Sequence, residues 1–275
     1  MAEQDLGGAL GLCRASRWNQ IDDDWRCFLN LDGAHCWLAE KDATVVGSVA
    51  ILRYGSNFSW LAMMLVDPQR RRLGIGSQLM DAALTELAGE PCVRLDATPA
   101  GEPLYRRLGF IPEYSLARIT ITVDTKQFRG APGRARRMSP NDFASVFELD
   151  RQVFGADRSA LLSTFYLRAP GFAWIAEEGS ALTGYCFGRP GYQYSQLGPI
   201  VGDSDTAHQL MAHCFSRHGG ASFAVDVSGM TLERLPRLEA AGFEFERTFL
   251  RMRRGEMRCP PRANLEFAIA GPEFG

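Results

Sequence analysis

Two α/β units in tandem, each a mixed central sheet with helices on both faces, is the architecture predicted by this sequence of 275 residues. Three observations carry that prediction. First, an apolar run at 61–66 stops at Asp67-Pro68, crosses Arg70-Arg71-Arg72-Leu73-Gly74-Ile75-Gly76 and opens into Leu79, Met80, Ala83, Leu84 and Leu87 at helical spacing. That reads as a strand, a loop and an amphipathic helix. Second, the other half of the chain repeats the same alternation of strand-like and helical segments. Third, 127–137 is rich in Gly, Pro and Arg and has no apolar period, which marks a linker. The expected division is therefore 1–125, a linker at 126–137, and 138–275.

Composition narrows the function classes. With 46% hydrophobic and 23% charged residues, each half can bury a core of its own, and a net charge of -2 gives no general attraction to nucleic acid or to anionic lipid. No run approaches the ~18 apolar residues of a membrane span, and 1–11 lacks a basic start before a long apolar core, so the expected address is cytoplasmic. The seven cysteines are odd in number and none are spaced as C-x-x-C, the pattern of reduced structural thiols. His208, His213 and His218 recur every five residues, which scatters them around a helix, and no metal site is expected.

In chain order, a polar stretch precedes Trp25, Phe28 and Leu29 at helical spacing. Apolar, β-rich segments at 35–40 and 44–52 flank Lys41-Asp42-Ala43 as a hairpin. A strand at 59–66 leads into the arginine loop, a helix covers 78–88, and a strand at 93–97, a short helix at 102–108 and a strand at 114–123 follow. Beyond the linker, helices at 141–151 and 159–168 precede a hairpin of 173–177 with 181–187. A strand at 196–201 then meets a helix presenting Ala207, Leu210, Met211, Cys214 and Phe215, and strands at 223–227 and 245–253 close the set.

The loop before the helix at 78–88 has the chemistry of an anion site. Gly74 and Gly76 let backbone come close to a ligand, and the helix start behind them presents unpaired N–H groups at the positive end of its dipole. The arginines add charge. This segment resembles the acetyl-CoA-binding motif of the GNAT superfamily of N-acetyltransferases, R/Q-x-x-G-x-G/A, with Arg71, Gly74 and Gly76 in the defining places. After the strand-like 93–97, Tyr105-Arg106-Arg107-Leu108-Gly109-Phe110 is similar to that superfamily's Tyr-x-x-x-Gly-Phe ending. The whole chain resembles a subgroup of bacterial tandem-GNAT proteins, through Trp18-Asn19-Gln20, Asp24-Trp25, 95–101, Gly198-Pro199, 251–255 and 268–275.

The resemblance implies transfer of an acetyl group from acetyl-CoA, as cosubstrate, directly to a primary amine. It places the diphosphate on Arg71, Arg72, Leu73, Gly74, Ile75, Gly76 and Ser77, and the pantetheine beside Met64, Leu65 and Val66. A backbone N–H near Leu65 or Val66 would bind the thioester oxygen, and Tyr105 would protonate the leaving thiolate. An alkylamine of pKa near ~10.4 is neutral in only about one molecule in 10³ at pH 7, so a base is wanted. Asp96 and Asp24 are the candidates, with an ordered water as the alternative to either. Cys92 reads as core.

The second half lacks the same parts. Asp203 and Asp205 stand where the first half has its arginines, the paired glycines are missing, and Leu238 takes the place of Tyr105 in Leu238-Glu239-Ala240-Ala241-Gly242-Phe243. It is expected to be a degenerate domain that walls the acceptor site, with a homodimer left open. The acceptor is a small-molecule or peptide amine, and Trp18, Asn19, Gln20, Trp25, Trp60, Arg189, Tyr192 and Tyr194 are candidates to meet it. The alternative function is a non-catalytic acetyl-CoA sensor; Tyr105 argues against it, because a sensor needs no acid there.

Overall fold

In the computed structural model, which describes residues 1–128, 133, 135–229, 234–258 and 260–275, both halves share one twelve-stranded sheet. Cys259 and linker residues 129–132 and 134 lie outside the described residues. The first half runs α1 (Leu6–Ala15), α2 (Asp22–Asn30), β1 (Ala34–Lys41), β2 (Thr44–Tyr54), β3 (Phe58–Val66), α3 (Ile75–Glu86), β4 (Cys92–Ala97), α4 (Glu102–Arg107) and β5 (Ile111–Thr122). The second runs β6 (Ala135–Arg137), α5 (Phe143–Phe154), α6 (Ser159–Arg168), β7 (Trp174–Glu178), β8 (Ala181–Arg189), β9 (Ser195–Val201), α7 (Ser204–Phe215), β10 (Ser222–Ser228), α8 (Arg234–Ala240), β11 (Glu244–Gly255) and β12 (Glu266–Ala268). Helices not foreseen from sequence spacing include α1, and β6 lies inside the stretch read as linker, paired with β7.

Strand order is β1-β2-β3-β4-β11-β5-β10-β12-β9-β8-β7-β6. The halves have exchanged their long last strands. β5 pairs antiparallel with β10 and β11, and β11 pairs antiparallel with β4 and β5, so neither half closes its sheet with its own strand. The division at 126–137 therefore separates two sequence repeats but does not separate two folded bodies.

Alternation along the strands sorts side chains to the two faces. Val49, Ile51 and Leu61 meet Leu79, Met80 and Ala83 of α3, while Trp174, Ala176 and Cys186 meet Leu210, Met211 and Cys214 of α7. On the opposite face, α1, α2, α5 and α6 build a single core from both halves, with Trp25, Phe28, Ala50, Leu52 and Trp60 packed together with Phe154, Leu162, Phe165 and Tyr185. Each such large apolar side chain contributes roughly 1.5–3 kcal/mol on burial. The segment after β12 is locked into this core: Phe274 stacks on Phe28 at 5.1 Å and meets Phe165 edge-on at 5.6 Å, and the Tyr54 hydroxyl donates to the Phe274 carbonyl at 2.7 Å. Among the described residues no helix is long and apolar enough to cross a membrane.

Candidate active site

The strand β3 carries a bulge that shapes the site. Ala50 lies opposite Ala62 and Ser48 opposite Leu65, so Met63 and Met64 together face a single residue of β2. Met63 takes φ of 51°, and its carbonyl accepts from the Ser48 hydroxyl at 2.8 Å. Already ahead of the bulge β3 leaves β4: their parallel pairing is confined to Ser59↔Val93 and Trp60↔Arg94. The two strands then diverge, and a cleft of about 540 Å³ opens between them, lined by 61–66 on one side and by Leu95 and Asp96 on the other.

The arginine loop closes one end of this cleft. Gly74 is the N-cap of α3 at φ of 84°, with no side chain capping the helix, and a Cβ built there would meet nothing within 4 Å. The first-turn N–H groups are thus bare. A Cβ on Gly76 would come within 3.2 Å of the Met64 methyl, so that glycine sets how closely the helix start approaches β3. Arg72 is also left-handed, at φ of 64°, a conformation that non-glycine residues adopt at strained functional loops. Met64, Leu65, Val66, Arg71, Arg72, Gly74, Ile75, Gly76 and Ser77 all line the cleft; Leu73 is 65% exposed and points elsewhere. These residues fit a diphosphate followed by an extended chain, by the uncapped helix start and the open space over Gly74.

Tyr105 lines the same cleft from α4. Its ring sits 3.0 Å from where a Gly101 Cβ would be and meets Phe110 edge-on at 6.0 Å. Burial alone pushes its hydroxyl well above the ordinary phenol range, and no charged neighbour opposes that shift, so it is a protonated group at neutral pH.

Neither carboxylate expected to serve as base is free to do so. Asp96 lines the cleft, but its two oxygens accept from Arg251 Nε and Nη2 at 2.8 and 2.9 Å, and its side chain is fully buried. Burial pushes its carboxyl up while Arg251 pulls it back. An amine would have to displace that guanidinium. Asp24 is buried in α2, where it accepts from the Ile21 N–H and from Arg168 and Arg189, all at 3.0 Å. It holds the halves together and does not line the cleft.

Of the aromatic and polar candidates, Trp18, Asn19 and Gln20 line the cleft, whereas Trp25 and Trp60 are fully buried in the shared core. Asn19 also ties the second half down, its Oδ1 accepting from the N–H groups of Gln193 and Tyr194 at 2.8 and 3.1 Å. Tyr192 is exposed under the Arg14 guanidinium, 3.6 Å from its ring centre. Arg189 is buried and reaches the segment after β12, through the Ala270 carbonyl and Glu273. Arg118, Phe249, Pro272 and Glu273 also line the cleft, and sequence reading missed all four. They come from an exchanged strand or from the segment behind β12, and no local spacing signals either.

Five of the described cysteines are held as thiols by their environment: burial pushes Cys13, Cys27 and Cys92 up to about 11 and Cys36 and Cys186 up to about 12. His208 and His213 of α7, and His218 just beyond it, each turn Nδ1 back to the carbonyl four residues earlier, Ser204, Gln209 and Cys214.

The second half builds the same cleft and fills it. β9 and β10 pair only at Ser195↔Phe223 and Gln196↔Ala224 before diverging, as β3 and β4 do. Into that gap goes β12, with Glu266↔Val201, Ala268↔Ile200 and Ala268↔Val227. At the start of α7 the Asp203 carboxylate accepts from the Thr206 N–H at 2.8 Å, so the helix end is capped from within. Leu238 holds the place of Tyr105, and the two turns match: Phe110 N–H donates to the Tyr105 carbonyl at 3.0 Å and Phe243 N–H to the Leu238 carbonyl at 3.1 Å.

Residues 32–112 and residues 146–268 each match a family model described as an acetyltransferase (GNAT) domain. The chain is 24% identical over 263 residues to the holothin acyltransferase of Pseudoalteromonas sp. (strain SANK 73390), spanning 95% of this chain and 88% of that one. It is 23% identical over 210 residues to YitH of Bacillus subtilis (strain 168), described as an uncharacterized N-acetyltransferase, spanning 76% and 74%. A crystal structure from Pyrococcus horikoshii, provisionally described as that of an acetyltransferase, has the same fold, with a TM-score of 0.79 at 21% identity over 100% of this chain and 94% of that one. The two matched stretches fall in the two halves that the sheet relates to each other, and the chain belongs to the GNAT acetyltransferase superfamily, with two such domains in tandem.

Proposed function

We propose that the chain is an acetyl-CoA-dependent N-acetyltransferase that acetylates a primary amine in the cleft of its first half. The observation that carries this reading is the meeting, in one cleft, of a bare helix start behind Gly74 and a buried, protonated Tyr105. The α3 N–H groups with Arg71 and Arg72 would hold the diphosphate, and the diverging edge of β3 at Met64, Leu65 and Val66 would hold the pantetheine arm. Acetyl-CoA supplies an activated acetyl thioester. Backbone N–H groups at the end of β3 would stabilise negative charge on the carbonyl oxygen, and Tyr105 would give its proton to sulfur. The acyltransferase described among the relatives supports acyl transfer as the chemistry.

The second half serves as scaffold. Its cleft is filled by β12, its helix start is capped by Asp203, and it has leucine in the acid's place. It contributes instead to the working cleft, through Arg247, Phe249, Pro272 and Glu273.

The reading is tested on the full chain with acetyl-CoA and a panel of primary amines, following free thiol. Amine-dependent thiol release is expected. A chain that binds coenzyme A and releases no thiol with any amine would support a sensor instead.

A further inference from the structure

The cleft has a second chemical character away from the arginine loop. Among the described residues two carboxylates line it, Asp96 and Glu273, and of these only Glu273 keeps an oxygen to offer. Arg189 holds Glu273 Oε1, while Oε2 is buried with no hydrogen-bond partner among the described residues. Glu273 is 3% exposed. Gln20, which also lines the cleft, is 6% exposed, and its Oε1 is likewise buried and unpartnered. Leaving such an acceptor unmatched is unfavourable, so both atoms fit a ligand that brings donors. Trp18, Leu61 and Phe249 give the same cavity apolar walls.

We propose that Glu273 is the base that takes a proton from the acceptor's ammonium group, with Gln20 Oε1 as a second acceptor for that group, and that the acceptor is a primary amine carried on an apolar body. The proposal rests on the acetyltransferase reading and deepens it. The ammonium gives one proton to Glu273 Oε2, which later passes to solvent. The neutral amine forms the C–N bond as the C–S bond breaks. The thiolate takes the Tyr105 proton, and the second proton lost by nitrogen restores Tyr105, so one amide, one thiol and one released proton result.

The charged groups facing Glu273 are Arg189 from β8, Asp24 from α2 and Arg118 from β5, and Arg118 is itself bound by Asp226 through two contacts of 2.8 Å. Burial pushes the Glu273 carboxyl above the ordinary carboxylate range, with Arg189 opposing. A raised base lies nearer the ~10.4 of an alkylammonium and takes its proton at smaller cost.

The test uses the full chain, 2-phenylethylamine as the probe, and thiol release from acetyl-CoA, with coenzyme A binding followed by calorimetry. Glu273→Gln should lower kcat at pH 7 by about 10²-fold and leave the acetyl-CoA KM within about twofold. Its remaining rate should climb with pH toward the amine's own pKa, where solvent supplies the free base. Gln20→Met leaves the ion pairs in place and should raise the amine KM about tenfold, with kcat kept. If Glu273→Gln does not fold, Gln20→Met carries the test alone. Wild-type kcat and pH profile in Glu273→Gln, or an unchanged amine KM in Gln20→Met, would overturn the assignment and leave acetyl transfer standing. A wild-type chain that binds coenzyme A but acetylates no amine would overturn both.

Discussion

Arg251 of β11 grips Asp96 of β4 through two hydrogen bonds of 2.8 and 2.9 Å, so a guanidinium from the second half neutralises a carboxylate at the wall of the first half's cleft. The same arginine donates to the Tyr114 hydroxyl at 2.8 Å and lies 4.7 Å from the Trp60 ring centre. Both members of the pair are buried. Removing one partner leaves an uncompensated charge in the core, which costs roughly 3–5 kcal/mol. Arg251→Met should therefore lower stability by about that amount in urea unfolding. The double variant Arg251→Met with Asp96→Leu should recover a large part of the loss. A single variant as stable as wild type would show that the pair does not hold the exchanged strand.

Tyr105→Phe removes the proton donor and keeps the ring that packs on Gly101 and Phe110. A loss of about 10²-fold or more in kcat is expected, with acetyl-CoA affinity within about twofold of wild type. An acid works below its own pKa, and burial raises this one above the ordinary phenol value of ~10. The wild-type rate should show no descending limb from Tyr105 below about pH 10. Equal losses of turnover and of cofactor affinity in Tyr105→Phe would make the residue a packing group.

Gly76→Val puts a branched side chain against the Met64 methyl, where even a Cβ would stand at 3.2 Å. The helix start and β3 then cannot both keep their places around a diphosphate. Coenzyme A binding should fall below detection by calorimetry while far-ultraviolet circular dichroism stays at the wild-type signal. Retained affinity would remove the loop from the cofactor site.

Calorimetric titration of the full chain with acetyl-CoA should give one site. β12 occupies the second cleft and Asp203 caps the second helix start, so a second molecule would have to displace a paired strand. The experiment belongs on the intact chain, because β5 and β11 are exchanged and a cut in the linker would strip each half of a strand. Two comparable sites would contradict the division of labour between the halves.

Much of this was legible in the residues because it is local. Strand and helix periods recovered most elements, and the glycine-bearing arginine loop and Tyr105 stood out as residues that the structure places around one cleft, since a turn, a close approach and a helix start each demand particular residues within a few positions. The pattern Leu238 to Phe243 gave away the repeat for the same reason. The exchange of β5 and β11 left no local trace, because an inward-facing strand has the same period whichever neighbour it pairs with. β12 is only three residues long, too short for a period to show. Asp96 stood as a candidate base because its partner is 155 residues away in sequence, and Glu273 went unnoticed because its place at the cleft comes wholly from where the segment after β12 docks.

The exchanged strands also set an order of events during synthesis. Residues 1–122 supply most of the working cleft, but β4 has no antiparallel neighbour until 244–255 has been made, and the cleft wall lacks Pro272 and Glu273 until later still. A nascent first half leaving the ribosome would carry an open sheet edge and a half-built cleft until 244–273 had followed it, the kind of exposed edge that chaperones cover. The cleft would be complete only once the segment that carries Pro272 and Glu273 had been made and had docked.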